Sequence, residues 1–439
     1  MIKRLMTIAE TTNDRKIAFI LFFIALILRT GYAIFSYFNF PLMETNLYYE
    51  LAQEIIQQGK IFYDKVNSYY EISGPVIPWL NALTMLVFGK NYLGLYIVTA
   101  LGSALIVLFI YKTARLFLDK KTSLFAGVWA MFYLFYFYYI SSPGKDIWMA
   151  FFMIFLLYLL IKLFIKHEFN YKNYLLFIFI YVISFHLDER YVIFGPFILL
   201  FILYNETFAF KKLRIKKSLL FIIFVILLMI PWSVRHYQKY DRVIILTPRT
   251  QPYTDKIFGY EPKDEYFGDD FMDIKGRYYI HDYQIDSVIN GTKTHTDAGY
   301  EIPKDWIEAM REGKRPAPLT GLEAYWSRIR TMMEPFQIEG RFERTGYYYY
   351  EKSFRHNVAT FLFYGIIFLF SIPGFYFLYL KNRQIFFLFL GTIVIYVTLH
   401  ALTIPYTNWR YRLPLDAIFI IVGWIGITSI LKKIKFFKG

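Results

Sequence analysis

The chain has 439 residues, of which 56% are hydrophobic and 22% aromatic, so it is more apolar than an ordinary soluble domain. A net charge of +15 would suggest nucleic-acid binding in a soluble protein, but here the basic residues cluster at the ends of apolar runs, where membrane topology accounts for them. Cysteine is absent, which excludes disulfides, thiolate metal sites and cysteine nucleophiles.

Ten apolar segments are candidates to cross a membrane as helices, since about 20 residues span the hydrocarbon core. They are Lys16–Tyr37, Tyr92–Leu118, Thr122–Ile140, Asp146–Ile165, Tyr174–Leu187, Tyr191–Phe208, Ser218–Trp232, Val358–Leu380, Gln384–Thr403 and Leu413–Leu431. No small-residue cleavage site follows the first, which we interpret as a retained anchor. The piece Val76–Phe88 is too short to span and predicts a re-entrant or interfacial helix. We therefore predict an all-α polytopic membrane protein.

The loops between these spans differ in charge. Clusters of Lys and Arg fall between spans two and three, four and five, six and seven, eight and nine, and at the end of the chain. Cytoplasmic loops carry such an excess, so we expect both termini in the cytoplasm. The other side then carries loop 39–91 and the long polar segment 233–357. These divide the chain into an N-terminal membrane module over 1–232, an extracytoplasmic small domain over 233–357 and a C-terminal module over 358–439.

Loop 39–91 contains a short amphipathic helix pattern just after the first span. Leu47, Leu51 and Ile55 share one face, and Gly59 stands where a helix ends. Glu44 precedes the helix, at the membrane surface. A carboxylate held there by an interfacial helix is a plausible place for chemistry, and a solvated connector is the alternative interpretation.

The ionisable residues of the predicted extracytoplasmic side gather at span ends. They are Glu44, Lys145, Asp146, His186, Asp188, Glu189, Arg190, Arg235, Arg410 and Arg412. Charges near membrane depth are costly unless they are paired or face an aqueous cavity, so they are candidates for function. The structural alternative is that Arg190, Arg410 and Arg412 are interfacial anchors paired with Asp188 or Asp416.

This mixture of acids and bases indicates a class of reaction. Arg and Lys residues at the interface suit a phosphate, which they bind by charge-assisted hydrogen bonds, and the surrounding spans could hold a lipid tail. A nearby carboxylate can accept a proton from an attacking hydroxyl or amine. The combination fits a lipid-phosphate-linked donor attacked by an external acceptor. Glycine-rich nucleotide loops, Asp-x-Asp and HExxH are absent from the sequence.

Several motifs then follow one another in an informative order. They are ETNLYYELAQEIIQQG from Glu44 to Gly59, GPVIPWLNALTMLVFG, the acid Asp146 opening span four, the base Arg190 after span five, Pro231-Trp232 with Arg235 followed by LTP and FG, and RYRLPL from Arg410. In this order they resemble the GT-C polytopic glycosyltransferases, the branch that contains protein O-mannosyltransferases and lipid A aminoarabinose transferases.

The resemblance implies a GT-C fold, a sugar donor on a polyprenyl phosphate, and inversion at the anomeric carbon. By motif position it makes Glu44 the catalytic carboxylate, although the family more often has Asp there, and Asp146 a second acid. We expect the donor phosphate to be held by Lys145, Arg190, Arg235, Arg410 and Arg412, with His186, Asp188, Glu189 and Tyr48 as further candidates. The family's Lys before the Gly-Pro entry is missing, and so is the Trp-Trp-Asp signature of oligosaccharyltransferases, which argues against transfer of a whole glycan.

The leading hypothesis is therefore an inverting membrane glycosyltransferase that acts on a glycan, lipid or protein acceptor at the extracytoplasmic face. A transporter or flippase for a lipid-linked sugar, and a glycan polymerase or ligase, are the alternatives. No cofactor is required; a divalent cation near Glu44 and Asp146 is left open, and no other metal site is predicted. Composition and compact loops favour a bacterial cytoplasmic membrane, and we expect no nucleic-acid partner.

Overall fold

The computed structural model describes most of the membrane-embedded chain and parts of the central polar segment. The described residues are 12–39, 47–60, 74–141, 144–210, 215–240, 271–272, 279–280, 285–295, 301–302, 304–313, 321–334, 358–403 and 409–433. The chain divides into two compact units, described separately below. Unit 1 comprises Met1–Pro262, Ile367–Thr392 and Leu413–Gly439, and unit 2 comprises Lys263–Ile366 and Ile393–Arg412.

Helices account for nearly all regular structure in the described residues. Up to the central segment they are α1 Asp14–Asn39, α2 Leu47–Gln58, α3 Val76–Phe88, α4 Tyr92–Arg115, α5 Lys120–Phe132, α6 Leu134–Tyr138, α7 Asp146–Leu160, α8 Tyr171–Leu187, α9 Phe194–Phe210 and α10 Lys216–Tyr240. Beyond it they are α11 Ile285–Ile289, α12 Lys304–Arg311, α13 Gly321–Met333, α14 Ile366–Lys381, α15 Arg383–Thr403 and α16 Leu413–Lys433. Strands β1 Phe271–Met272 and β2 Tyr279–Ile280 form a small antiparallel ladder, with Phe271 opposite Ile280. The predicted all-α class is confirmed.

Each of the ten predicted spans lies on a helix. Seven described helices are long and apolar enough to cross a membrane alone. An eighth span is the pair α5 and α6, which extends through a 3₁₀ turn at Tyr139–Ser141 and is bent by 43°. The fifth and sixth predicted spans correspond to α8 and α9, of 17 residues each. At 1.5 Å per residue these two helices are about 26 Å long, somewhat shorter than the hydrocarbon core.

Burial inside the protein differs strongly between the spans. Of the most apolar 18 residues of each span, 83% are buried in α7, which a π-turn extends to Ile165, and 17% in α10. The sequence of α7, DIWMAFFMIFLLYLL, is apolar on every face, as expected for a helix surrounded by other helices. Helix α7 is therefore a central support of unit 1, and its first residue is Asp146.

Helices α14 and α16 approach each other closely enough for their backbones to touch. A Cβ added to Gly374 would lie 2.0 Å from the carbonyl oxygen of Val422, and one added to Gly426 would lie 2.0 Å from that of Phe370. Small residues allow this close packing between membrane helices, where dispersion contacts replace the hydrophobic effect.

Helices α2 and α3 of loop 39–91 pack on one another. Ala52, Ala82 and Met85 form a small buried cluster between them. The left-handed backbone of Gly59, with φ of +64°, follows the end of α2. Helix α3 has the bounds that the sequence predicts and exposes Leu86 and Val87. Its 13 residues extend about 20 Å, too short for a span, and its exposed apolar face favours an interfacial position.

Unit 2 contains the described pieces of the central segment. Val288 of α11, Ile302 and Met310 of α12 form a small core. Elsewhere in the unit, Arg328 of α13 donates a hydrogen bond to the carbonyl oxygen of Ala401 at 2.8 Å, which ties α13 to the end of α15.

Candidate active site

Asp188 stands at the junction of two helices. Its extended backbone, with φ of −153° and ψ of 118°, ends α8 and begins the 3₁₀ helix Glu189–Ile193. Its amide N–H still donates to the Ser184 carbonyl at 3.0 Å, while its side chain accepts a hydrogen bond from the amide N–H of Arg190 at 3.2 Å. Aspartate is favoured at such positions because its carboxylate satisfies an otherwise unpaired amide. The capping role fixes the direction of this carboxylate.

The same carboxylate binds two cations. The Lys145 Nζ atom lies 2.6 Å from Asp188 Oδ2, and Arg190 donates from both Nε and Nη2, one to each carboxylate oxygen. The Asp188 side chain is fully buried, whereas those of Lys145 and Arg190 retain 15% and 12% exposure. One acid is therefore shared between two bases, and Lys145, Asp188 and Arg190 taken together carry one positive charge, with Glu189 and Asp146 next to them in the chain.

The protonation states of Asp188 and Lys145 follow from these contacts. Burial alone would raise the pKa of Asp188, but the charges and hydrogen bonds of Arg190 and Lys145 outweigh it and hold that pKa well below its usual range. Burial alone would lower the pKa of Lys145, but attraction to Asp188, with smaller contributions from Tyr48 and Glu189, raises it. Asp188 is therefore an anion and Lys145 a cation throughout the neutral range.

Lys145 and Asp146 are positioned by the start of α7. Lys145 occupies the N-cap, and its carbonyl accepts the Met149 amide at 2.8 Å. Asp146 is the first residue of the helix and is buried, and a carboxylate is favourable there because it lies at the positive end of the helix dipole. The buried Tyr191 hydroxyl donates to the Met149 carbonyl at 2.7 Å, which joins the first turn of α7 to the 3₁₀ helix beside Asp188.

Loop 39–91 reaches this region from two directions. Tyr48 of α2 lies within electrostatic range of Lys145. Its neighbour Tyr49 stacks on Tyr92 with ring centroids 4.4 Å apart, and so holds α2 to the start of α4. Farther along the loop, just before α3, a Cβ added to Gly74 would lie 1.7 Å from the carbonyl oxygen of His186. The Gly-Pro entry therefore packs directly against the turn that carries the cation pair.

A series of ring contacts links Arg235 to the turn that contains Asp188. The Trp232 ring lies 6.0 Å from that of His186, edge to face, and the Arg235 guanidinium lies over Trp232, 4.8 Å from its centroid. Such a cation–π contact holds the guanidinium in place without neutralising its charge. His186 thus serves as a spacer between the turn and α10, and Trp232 holds Arg235 on that side.

Arg410 and Arg412 belong to unit 2 and are described within it. Arg412 is fully buried; its guanidinium lies 3.3 Å from the Tyr364 ring centroid, and Nη1 lies 3.5 Å from the Met332 carbonyl. Arg410 is half-buried, 6.0 Å from the Tyr411 ring centroid. Arg412 thus has aromatic and backbone partners of its own, and phosphate binding by both arginines stays a prediction.

Glu44 lies outside the described residues, so its predicted role as the base stays a prediction. Within the described part of the chain, no group of three or more His, Asp or Glu residues could hold a metal ion. The divalent cation between Glu44 and Asp146 is untested for the same reason as Glu44. The sequence gives no local signal for Tyr191, and it indicates Gly74 only as part of the motif GPVIPWLNALTMLVFG.

Comparisons with known proteins come from sequence and from structure. Residues 73–234 match the model of a family described as dolichyl-phosphate-mannose-protein mannosyltransferase. No curated protein matches the chain.

The similar solved structures are of an oligosaccharyltransferase from Archaeoglobus fulgidus. In the apo form it is 16% identical, with a TM-score of 0.58 over 97% of this chain and 51% of its own. Tethered to an acceptor peptide containing the NVT sequon, it is 16% identical with a TM-score of 0.55, over 97% and 50% of the two chains. In complex with an inhibitory peptide and a dolichol-phosphate, it is 15% identical with a TM-score of 0.54, over 97% and 51%.

This chain thus spans about half the length of the solved structures that it matches. At 15–16% identity these structures show the fold alone, while the family match covers residues 73–234, which run from the Gly-Pro entry into α10 and are less than half of the chain. The resemblance to the GT-C polytopic glycosyltransferases that the sequence predicts is therefore confirmed, by the family match over residues 73–234 and by the fold over nearly the whole chain.

Proposed function

We propose that the protein is an inverting membrane glycosyltransferase that takes a sugar from a polyprenyl-phosphate donor. The observation that carries the proposal is the sharing of one buried carboxylate, Asp188, by Lys145 and Arg190 at the end of the membrane spans. The second cation leaves positive charge where the head of a lipid would lie.

The geometry suits a phosphate. An ammonium has three N–H donors, and in the described part of the chain one of those of Lys145 is used, by Asp188. The guanidinium of Arg190, whose Nε and Nη2 bind Asp188, adds a second positive charge at the same place. Asp188 holds both cations in a fixed orientation before the donor arrives, so little ordering is needed on binding. Arg235, held over Trp232, is the next cation along this side.

The reaction follows from these groups. An acceptor hydroxyl or amine attacks the anomeric carbon of the donor sugar, and its proton passes to Glu44. The bond between that carbon and the phosphate oxygen breaks, and its electron pair leaves with the polyprenyl phosphate. Lys145 and Arg190 stabilise the extra negative charge on the departing phosphate. Asp146 orients Glu44 or the acceptor, and attack from the face opposite the phosphate inverts the configuration.

The distribution of basic loops supports an extracytoplasmic site. Cytoplasmic loops carry an excess of Lys and Arg, which favours α5 starting and α16 ending in the cytoplasm and Lys145 and Asp188 at the opposite ends of their spans. We propose a bacterial cytoplasmic membrane with both termini inside, and a role for segment 233–357 in selecting a glycan, lipid or protein acceptor.

Binding and turnover test the proposal separately. The purified protein in nanodiscs would be titrated with polyprenyl phosphate, and then incubated with radiolabelled mannosyl-, glucosyl- and N-acetylglucosaminyl-phosphopolyprenols. We expect binding of polyprenyl phosphate and release of it from at least one donor in the presence of membrane extract as acceptor source. Lys145→Met should weaken binding at least tenfold, whereas Lys162→Met, at the opposite end of the same span, should not.

The result also separates the alternatives. A flippase would bind the donors and move them without cleaving the bond to phosphate, so donor transfer between leaflets without sugar release would overturn the proposal. Loss of turnover in Glu44→Gln with binding retained is expected of the base, and full turnover in that variant would remove the assignment.

A further inference from the structure

Arg29 is a buried cation that the proposed chemistry does not use. It lies in the middle of α1, and its side chain is entirely shielded from solvent. Arginine inside a membrane span is costly unless it has partners, and it usually marks a functional element. The sequence pattern around it is otherwise uniformly apolar, from Ala18 to Leu28.

The partners of Arg29 are neutral. Its Nε atom donates to Ser103 Oγ at 2.6 Å, and Nη1 and Nη2 donate to the carbonyl oxygens of Met131 and Ala130, each at 3.0 Å. The Phe137 ring covers the guanidinium, 4.7 Å from its centroid. Among the described residues no carboxylate pairs with Arg29.

These acceptors lie at the break between α5 and α6. Tyr133 leaves the helical conformation, with φ of −65° and ψ of 112°, so the regular hydrogen-bond pattern stops in the last turn of α5, where the Ala130 carbonyl accepts the Tyr133 amide at 3.3 Å. In a membrane such carbonyls must be satisfied from within the protein. Arg29 satisfies two of them, and Ser103 Oγ, which accepts from Arg29, donates in turn to the Tyr136 carbonyl beyond the break at 2.9 Å. Arg29 and Ser103 thus form hydrogen bonds on both sides of the bend, and we call these two residues the staple.

The staple lies beside the elements that carry the candidate site. Next to Ser103, a Cβ added to Gly102 would lie 3.1 Å from the Trp148 ring and 3.3 Å from Ile147, both in the first turn of α7. In the sequence, Lys145 stands four positions after Ser141, the last residue of the 3₁₀ turn that follows α6. The hydroxyl of Tyr133 also donates to Asp416 Oδ2 at 2.8 Å, in the first turn of α16.

We propose that Arg29 is a positioning residue, which holds the bend of the third span and thereby fixes where the chain delivers Lys145 and Asp146. The phosphate-binding part of this inference rests on the proposed function, but the bend itself does not. Arg29 acts through Ser103 and the carbonyls of Ala130 and Met131, and it touches no reacting group.

Spin labels measure the bend without any substrate. The chain has no cysteine, so cysteines introduced at Tyr138, beyond the bend, and at Leu200, on the exposed face of α9, can be labelled cleanly for pulsed electron spin resonance. Straightening a bend of 43° would move the end of the segment Tyr133–Ser141 by about 8 Å. We expect one narrow distance in the parent protein and a shifted or broadened distribution in Arg29→Met.

Polyprenyl-phosphate binding then shows whether the bend positions the site. Arg29→Met should weaken it at least tenfold and Arg29→Lys, which keeps the charge without the fork, by an intermediate factor. Should Arg29→Met fail to fold, Ser103→Ala serves as the second variant. Thr99→Val is the matched control, because Thr99 is buried one turn away on the same helix, and in the described part of the chain its hydroxyl donates to the Leu95 carbonyl of that helix, at 2.8 Å.

Unchanged distances in Arg29→Met and Ser103→Ala would overturn the inference, as would altered distances with unchanged binding. A parent protein that binds no polyprenyl phosphate would instead overturn the proposed function, and the distance measurement would still decide the role of Arg29 in the bend.

Discussion

In the described part of unit 1, the buried charges around Asp188 and the buried charge of Arg29 are stabilised in opposite ways. Around Asp188, charge meets charge, and two cations compete for one carboxylate. Around Arg29, a single cation is surrounded by a hydroxyl and two backbone carbonyls. The first arrangement leaves an excess charge at the end of the spans, which suits an anionic ligand. In the second arrangement, Arg29 donates its hydrogen bonds to Ser103 and to two backbone carbonyls at the bend of the third span, which suits a structural role.

Replacing Asp188 should have the largest effect. Asp188→Asn leaves Lys145 and Arg190 buried and mutually repulsive, and breaking a buried ion pair in this way costs about 3–5 kcal/mol. Lys145→Met keeps the pair between Asp188 and Arg190 and should cost much less while removing the excess charge. Thermal unfolding of the detergent-purified variants measures both. Equal destabilisation by the two substitutions would mean that Lys145 is a structural partner rather than a ligand-binding cation.

Gly74→Ala should have the next largest effect. The added Cβ would meet the carbonyl oxygen of His186, and because that atom belongs to the backbone, the loop or the turn must shift. Overpacking of this kind costs about 1–3 kcal/mol. Gly31→Ala is the control, since nothing lies within 4 Å of an added Cβ there and alanine favours the helix. If both variants unfold at the parent temperature and bind polyprenyl phosphate normally, the close packing of Gly74 on His186 does not position the loop next to Lys145 and Arg190.

The smallest effect should be on the dependence of stability on pH. The contribution of Asp188 is complete above the pKa of an unfolded aspartate, about 3.9, and is lost as pH falls through its lower folded-state pKa. The contribution of Lys145 is complete below the pKa of an unfolded lysine, about 10.4, and is lost as pH rises through its raised folded-state pKa. Neither contribution changes between about pH 5 and pH 9.

Melting temperatures from pH 3 to 11 check this window. Lys145→Met should lose less stability than the parent at the alkaline end, and Asp188→Asn should lose less at the acid end. An alkaline limb that Lys145→Met leaves unchanged would contradict the assigned pairing of Lys145 with Asp188.

Much of the site could be anticipated from the sequence because its members end or begin spans. Lys145, Asp146, Asp188 and Arg190 each follow or open an apolar run, and membrane depth makes such charges conspicuous. Asp188 was nevertheless only a further candidate, since nothing local shows that it pairs with a lysine 43 positions earlier. Arg29 carries a usable signal, a charge inside an apolar run, but the sequence does not show its partners, a hydroxyl and two backbone carbonyls.

The sequence by itself determined the spans, the interfacial helix α3 and the order of the GT-C motifs. These follow from local composition, because a bilayer demands about 20 apolar residues wherever a helix crosses it. Only the tertiary structure decided which charges meet. The Arg29 contact with Met131 joins residues 102 positions apart, and the clearance at Gly74 depends on the backbone of His186. Such pairings arise when helices pack, and no periodicity in the chain encodes them.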